Sequence, residues 1–193
     1  MKYMKKIILA FVMIFTIPHV TWARPKAVIL FRHGEEPKDK SSNHLSETGY
    51  LRAQLLPQLF ETNSVLKKLG LPVALFAAGA KNKNKSIRSI ETLVPLSLVL
   101  KIPINDRFIR DDFHNMTNEI NNNPDYDDQV VVVTWNHKIL KDIAEDVGLK
   151  KAPIYPSGQF DRIWVITFDG GKKGQKAVLQ DLPQQLLPGD SKK

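Results

Sequence analysis

Residues Val28-Ile29-Leu30-Phe31-Arg32-His33-Gly34-Glu35 decide how the chain is read. Four apolar residues in a row predict a strand buried on both faces. The run then stops on a cation, an imidazole and a glycine. Ligands of open parallel sheets bind beyond the carboxyl ends of the strands. Arg32 and His33 therefore fall where a site is expected. Gly34 lets the backbone turn sharply or approach a ligand closely. A histidine after a strand is, alone, more often structural than functional, so the reading depends on what the rest of the chain adds.

Downstream, Ser46 predicts a helix N-cap. Leu51, Leu55 and Leu59, with Leu56 and Phe60 beside them, predict one apolar helical face. Pro57 is expected to kink that helix or mark its last turn. Val73 to Ala78 predicts a second buried strand, followed by a basic loop, Gly79 to Lys85. Ser86 to Leu100 reads as a helix with Ile87, Ile90 and Val94 as its stripe and Pro95 as an interruption. Pro103 places Ile102–Ile104 at a sheet edge. Asp106 to Asp128 is polar and gives no periodic signal. Val130 to Val133 is the clearest strand, and Ile139, Leu140, Ile143 and Val147 give the helix after it. Ile163 to Phe168 is a strand, Asp169-Gly170-Gly171 a hairpin turn, and Gln175 to Gln180 an antiparallel edge strand. Strands alternating with helices predict a three-layer α/β/α domain with a mostly parallel central sheet.

Upstream, residues 1–23 read as a signal peptide. Lys2, Lys5 and Lys6 form a basic region, Ile7 to Ile17 an apolar run, and Thr21-Trp22-Ala23 a small-residue cleavage site. The apolar run is shorter than the ~20 residues of a membrane span. Residues 24–193 are read as a single domain, within the ordinary domain size of about 100–200 residues. A periplasmic or secreted protein without stable membrane association is expected.

Hydrophobic content of 42% and charged content of 25% are ordinary for a globular chain. The formal charge is +8, of which the leader supplies three lysines and no acids. Such an excess can steer an anionic substrate. No aromatic residues interleave with the basic ones, so nucleic acid is not an expected partner. The chain has no cysteine. That excludes a thiol nucleophile, a cysteine-ligated metal, a lipidated cysteine anchor and any disulfide.

Four segments now line up: Arg32-His33-Gly34 after the first strand, Arg88 opening a helix after the second, Asp111 and Asp112 in the polar segment, and His137 after the strongest strand. Two arginines and two histidines at strand ends suit a tetrahedral dianion, because arginine's planar fork matches phosphoryl oxygens. The chain resembles the histidine phosphatases, the superfamily that includes the cofactor-dependent phosphoglycerate mutases. Arg32-His33-Gly34 matches the first motif, Leu45-Ser46-Glu47-Thr48-Gly49 with Arg52-Ala53 the next, Arg88 with Thr92 the second arginine, and His137 the late histidine. The order and spacing agree from about residue 26 to 170. The Trp135-Asn136-His137-Lys138 stretch and Leu182-Pro183-Gln184-Gln185-Leu186-Leu187 are similar to an exported subgroup.

The resemblance implies a phosphoglycerate mutase-like fold and a phosphomonoesterase that needs neither metal nor cofactor. It implies that His33 attacks phosphorus to give a phosphohistidine, and that Arg32, Arg88 and His137 hold the phosphoryl oxygens. His33 then needs an acceptor on its other ring nitrogen, a geometry Gly34 permits. The proton donor is expected at Asp111, with Asp112 and His114 as alternatives; Glu35 would support a histidine. Two departures stand out. Asn136 replaces a small residue before the late histidine and offers an amide to the phosphate, and the loop before Arg88 is unusually basic. They keep a second reading open, a degenerate member that binds a phosphorylated ligand without turnover. A third is an interaction domain whose basic loop contacts an anionic surface.

Overall fold

The structure, a computed structural model, describes residues 24–39, 42–82, 86–168 and 176–192. The expected signal peptide and the expected hairpin turn at 169–171 lie outside the described residues. Six strands form one sheet: β1 (Ala27–Arg32), β2 (Ala74–Ala77), β3 (Ile104–Asn105), β4 (Val130–Trp135), β5 (Arg162–Phe168) and β6 (Ala177–Pro183), in the order β3-β2-β4-β1-β5-β6. The first four run parallel. β5 runs antiparallel to β1, and β6 antiparallel to β5. The described helices are α1 (Glu47–Leu55), α2 (Leu59–Thr62), α3 (Ser64–Leu69), α4 (Arg88–Leu100), α5 (Phe113–Asn122) and α6 (His137–Asp146). None of them is long and apolar enough to cross a membrane.

Every residue of β1 and β4 is buried, because helices cover both faces of the sheet. Val28, Leu30, Val131 and Val133 face Met116 and Ile120 of α5 and Leu140 and Ile143 of α6. Ile29, Phe31 and Val132 face Leu56, Leu59 and Leu66 from the α1–α3 segment and Leu93 and Leu96 of α4. The result is the three-layer α/β/α arrangement with a mostly parallel sheet. β3 lies at the edge, beside its Pro103.

Local readings differ in instructive ways. Ser46 caps α1 by accepting from the Gly49 amide at 3.1 Å, and Pro57 sits in a tight 3₁₀ turn, Leu56–Gln58. The apolar face is narrower than predicted: Leu51 is 48% exposed, and Ala53, Leu56, Leu59 and Phe60 face the core. In α4 the buried stripe is Ser89, Thr92, Leu93 and Leu96, while Val94 is 40% exposed. That helix continues through Pro95, which simply lacks one backbone donor. The unreadable polar segment contains α5, whose buried Phe113, Met116, Thr117 and Ile120 lie three or four apart.

Candidate active site

β1, β2 and β4 are parallel, so their carboxyl ends meet at one edge of the sheet. His33 follows β1, Gly79 and Lys81 follow β2, and Asn136 and His137 follow β4. β5 is antiparallel and therefore begins at this edge, which brings the loop Ser157–Phe160 alongside. His33 extends the ladder past β1 by donating its amide to the Trp135 carbonyl at 3.1 Å.

The His33 side chain is 4% exposed. Its Nδ1 lies 2.8 Å from the carbonyl oxygen of Gly34. A carbonyl can only accept, so Nδ1 carries the proton and Nε2 keeps its lone pair. Burial is the main cause that holds the imidazole's pKa down, to about 4 from the ordinary 6.5, with the Arg32 and Arg88 charges pushing the same way. The ring is thus neutral across the physiological range, and it lines a cleft of about 280 Å³.

Two glycines make this turn possible. A Cβ on Gly34 would sit 2.9 Å from the Gly49 oxygen, and one on Gly49 would sit 2.5 Å from the Glu35 oxygen. The start of α1 therefore packs directly onto the backbone of the Arg-His-Gly turn. Thr92 fixes the turn from the other side. Its hydroxyl accepts from the Gly34 amide at 2.9 Å and donates to the Arg88 carbonyl at 2.7 Å.

Arg88 lines the cleft beside His33. Its Nε donates to the His44 carbonyl at 2.9 Å and its Nη2 to the Ser42 carbonyl. Arg32 is 2% exposed and stacks 3.6 Å above the Phe160 ring. Its Nη1 donates to the carbonyls of Ser157 and Gln159. Glu36 spans the two cations: Oε2 accepts from Arg88 Nη1 at 3.0 Å, and Oε1 lies 3.8 Å from Arg32 Nη2. Arg32 and His137 stand outside the cleft's lining. The His137 pKa is lowered, first by burial and then by the Arg32 and Lys138 charges. Arg32 Nε and His137 Nδ1 are both shielded from solvent with no hydrogen-bond partner. Asn136 lines the cleft; its Oδ1 caps α6 by accepting from the Lys138 amide at 3.0 Å, which leaves its NH₂ as the free donor.

Of the three acids or proton carriers expected, Asp111 lines the cleft, with its side chain 79% exposed. Asp112 instead accepts from Asn115 at 2.5 Å at the start of α5. His114 pairs with Asp146 at 2.5 Å on the surface and is 70% exposed. Glu35 supports neither histidine: it forms a two-oxygen pair with Arg52, which also holds Asp190 at 2.8 Å and Gln184 at 3.1 Å. Lys81, Ser89 and Arg110 also line the cleft, and Glu36 pairs with its Arg88, although the motifs did not single them out. Lys81 and Arg110 come together because Gly79 donates to the Phe108 carbonyl at 2.9 Å. Among the described residues, no three His, Asp or Glu side chains gather as a metal centre needs.

No family model and no curated protein matches the chain. Solved structures do. The protein histidine phosphatase SixA, in complex with tungstate, superimposes with a TM-score of 0.54 at 12% identity, over 82% of this chain and 97% of that one. The mycobacterial glucosyl-3-phosphoglycerate phosphatase Rv2419c, in complex with inorganic phosphate, gives 0.52 at 13% identity, over 80% and 95%. The chain has the histidine phosphatase fold. Within the histidine phosphatase fold, the carboxyl edge carrying His33 and Arg88 is the edge at which open parallel sheets place their ligands.

Proposed function

We propose that the chain is an exported phosphomonoesterase that works through His33. The carrying observation is the buried, neutral imidazole of His33. Its Nδ1 proton is held by Gly34, so Nε2 is left as a nucleophile beside Arg88. Two phosphatases with the same fold bind tungstate and phosphate, which supports a tetrahedral oxyanion here. So do the unpartnered Arg32 Nε and His137 Nδ1, since buried polar groups are normally paired.

In the proposed reaction Nε2 of His33 bonds to phosphorus while the bond to the leaving oxygen breaks. Asp111 delivers a proton to that oxygen. Asp111 then takes a proton from water, which attacks the phosphohistidine and releases phosphate and neutral His33. Arg32, Arg88, His137 and the Asn136 amide offset the charge on the phosphoryl oxygens, which is how phosphoryl transfer is mainly accelerated. No metal takes part in this scheme. The leader read in residues 1–23 supports a substrate met outside the cytoplasm.

The test is hydrolysis of a chromogenic aryl phosphate with EDTA present. The wild type is expected to turn over and to trap an acid-labile, alkali-stable phosphoryl group. His33→Ala should do neither, and a variant as active as the wild type would overturn the proposal. The exposed position of Asp111 favours one second reading, capture of a phosphorylated ligand without turnover. Phosphate binding with no hydrolysis of any ester would select it.

A further inference from the structure

Glu36 pairs with both arginines of the site, and neither the motifs nor the proposed reaction gives it a role. It follows the Arg-His-Gly turn and is one-third exposed. Its two carboxylate oxygens face two different guanidiniums, Arg88 at 3.0 Å and Arg32 at 3.8 Å. Most of the other polar edges of those guanidiniums are held by backbone carbonyls, and Arg32 Nε is left without a partner. Arg88 spends Nε and Nη2 on the carbonyls of His44 and Ser42, and Arg32 spends Nη1 on those of Ser157 and Gln159. Nη1 of Arg88 and Nη2 of Arg32 thus face one and the same carboxylate.

The proposed mechanism needs phosphoryl oxygens on the same two arginines. A carboxylate presents two oxygens and a negative charge to an arginine pair, as an oxyanion does. The two cannot use the same donors together, and like charges this close repel. Resting on the phosphatase reading of this site, we infer that Glu36 is a resident competitor. It occupies the arginine pair in the free protein, and an incoming phosphoryl group displaces it. The position of Glu36 in a loop, with its outer side in solvent, gives the displaced carboxylate water to move into. Affinity for small oxyanions is therefore lower than two arginines and two histidines alone would give. The weakening falls on every ligand that uses the pair.

The sign of one measurement separates this role from the ordinary one. A glutamate that merely holds Arg88 in place would, on removal of its charge, leave oxyanion binding unchanged or weaker. A resident competitor would, on removal of its charge, make binding tighter. The experiment is calorimetric titration of inorganic phosphate into the wild type and Glu36→Gln, which keeps an oxygen able to accept from Arg88. The Kd for phosphate is expected to fall at least tenfold in the variant. KM for an aryl phosphate should fall in the same direction. An unchanged or raised Kd overturns the inference while leaving the phosphatase proposal intact, and so does a collapse of kcat with no gain in affinity, which would make Glu36 a proton donor. Absence of phosphate binding in both proteins overturns the oxyanion reading of the site and the inference with it. Should the variant not fold, a crystal of the wild type with phosphate decides. Glu36 must have left both arginines with phosphate in its place; a Glu36 still bridging them overturns the inference.

Discussion

Burial of His33 makes stability depend on pH in a window that can be measured. In the folded protein the imidazole titrates at about 4, against 6.5 for an unperturbed histidine. Between those two values the unfolded chain binds a proton that the folded chain refuses. Unfolding free energy therefore rises with pH across the window and is lost as pH falls from 6.5 toward 4. At ~1.4 kcal/mol per pH unit the gap is worth about 3 kcal/mol. Urea unfolding of the wild type and of His33→Gln, run at intervals through the window, isolates this contribution. Other titrating groups are shared by both proteins and cancel in the difference. The wild type should lose about 3 kcal/mol relative to the variant over the window. The acid limb of kcat/KM should fall at the same low pH, because a neutral Nε2 is what attacks. Parallel stability curves, or a His33 ring signal titrating near 6.5 by NMR, would refute the reasoning.

Three further expectations follow from the same geometry. Arg52→Ala leaves Asp190, 6% exposed, and Glu35, 19% exposed, without their shared cation; a loss of about 3–5 kcal/mol is expected in urea unfolding, and Arg52→Lys should restore part of it because an ammonium lacks the fork. Gly49→Ala places a Cβ 2.5 Å from the Glu35 oxygen and 2.8 Å from the Glu35 nitrogen, so thermal unfolding should show a loss of about 1–3 kcal/mol with a fall in kcat. Asp111→Asn should lower kcat about 10²–10⁴-fold for an alkyl phosphate, whose leaving oxygen needs a proton, and far less for a nitrophenyl phosphate; equal effects on both would remove Asp111 from the donor role.

What was legible in the sequence was what repeats or clusters. β1 and β4 announce themselves as unbroken apolar runs, because a strand buried on both faces has no polar position to show. Helices α1 and α4 have the expected period but a different phase. Their buried stripes use Ala53, Ser89 and Thr92, residues too small or polar to outweigh Leu51 and Val94 in a reading by hydrophobicity. α5 hid for a related reason: Phe113, Met116, Thr117 and Ile120 stand at helical spacing among asparagines and acids. Of the residues singled out in the sequence, His33, Arg88, Asp111 and Asn136 line the cleft, and Arg32 and His137 stand outside its lining. Glu36 was not among them, since an acid in the loop after a motif looks like any solvated acid until its distances to two arginines are known.

The loop Ser157–Phe160 shows a deeper limit, and it bears on how the site works. It contributes to Arg32 through the carbonyls of Ser157 and Gln159, and backbone groups leave no mark in a sequence. The same device recurs throughout. Gly34 holds His33, Ser42 and His44 hold Arg88, and Arg110 accepts from Trp135 Nε1 at 3.0 Å, all through carbonyl oxygens. A carbonyl orients a donor without bringing a formal charge. Cations aimed this way keep their charge for a ligand, whereas a carboxylate partner would neutralise it. Glu36 is the exception, a carboxylate that faces both guanidiniums. A side-chain substitution at Ser157 should therefore change little, because its working atom belongs to the main chain. Exchange of Glu36 acts on the charge that the carbonyl scaffold leaves uncompensated, and that is why a single position in a loop can set the affinity of the whole arginine pair.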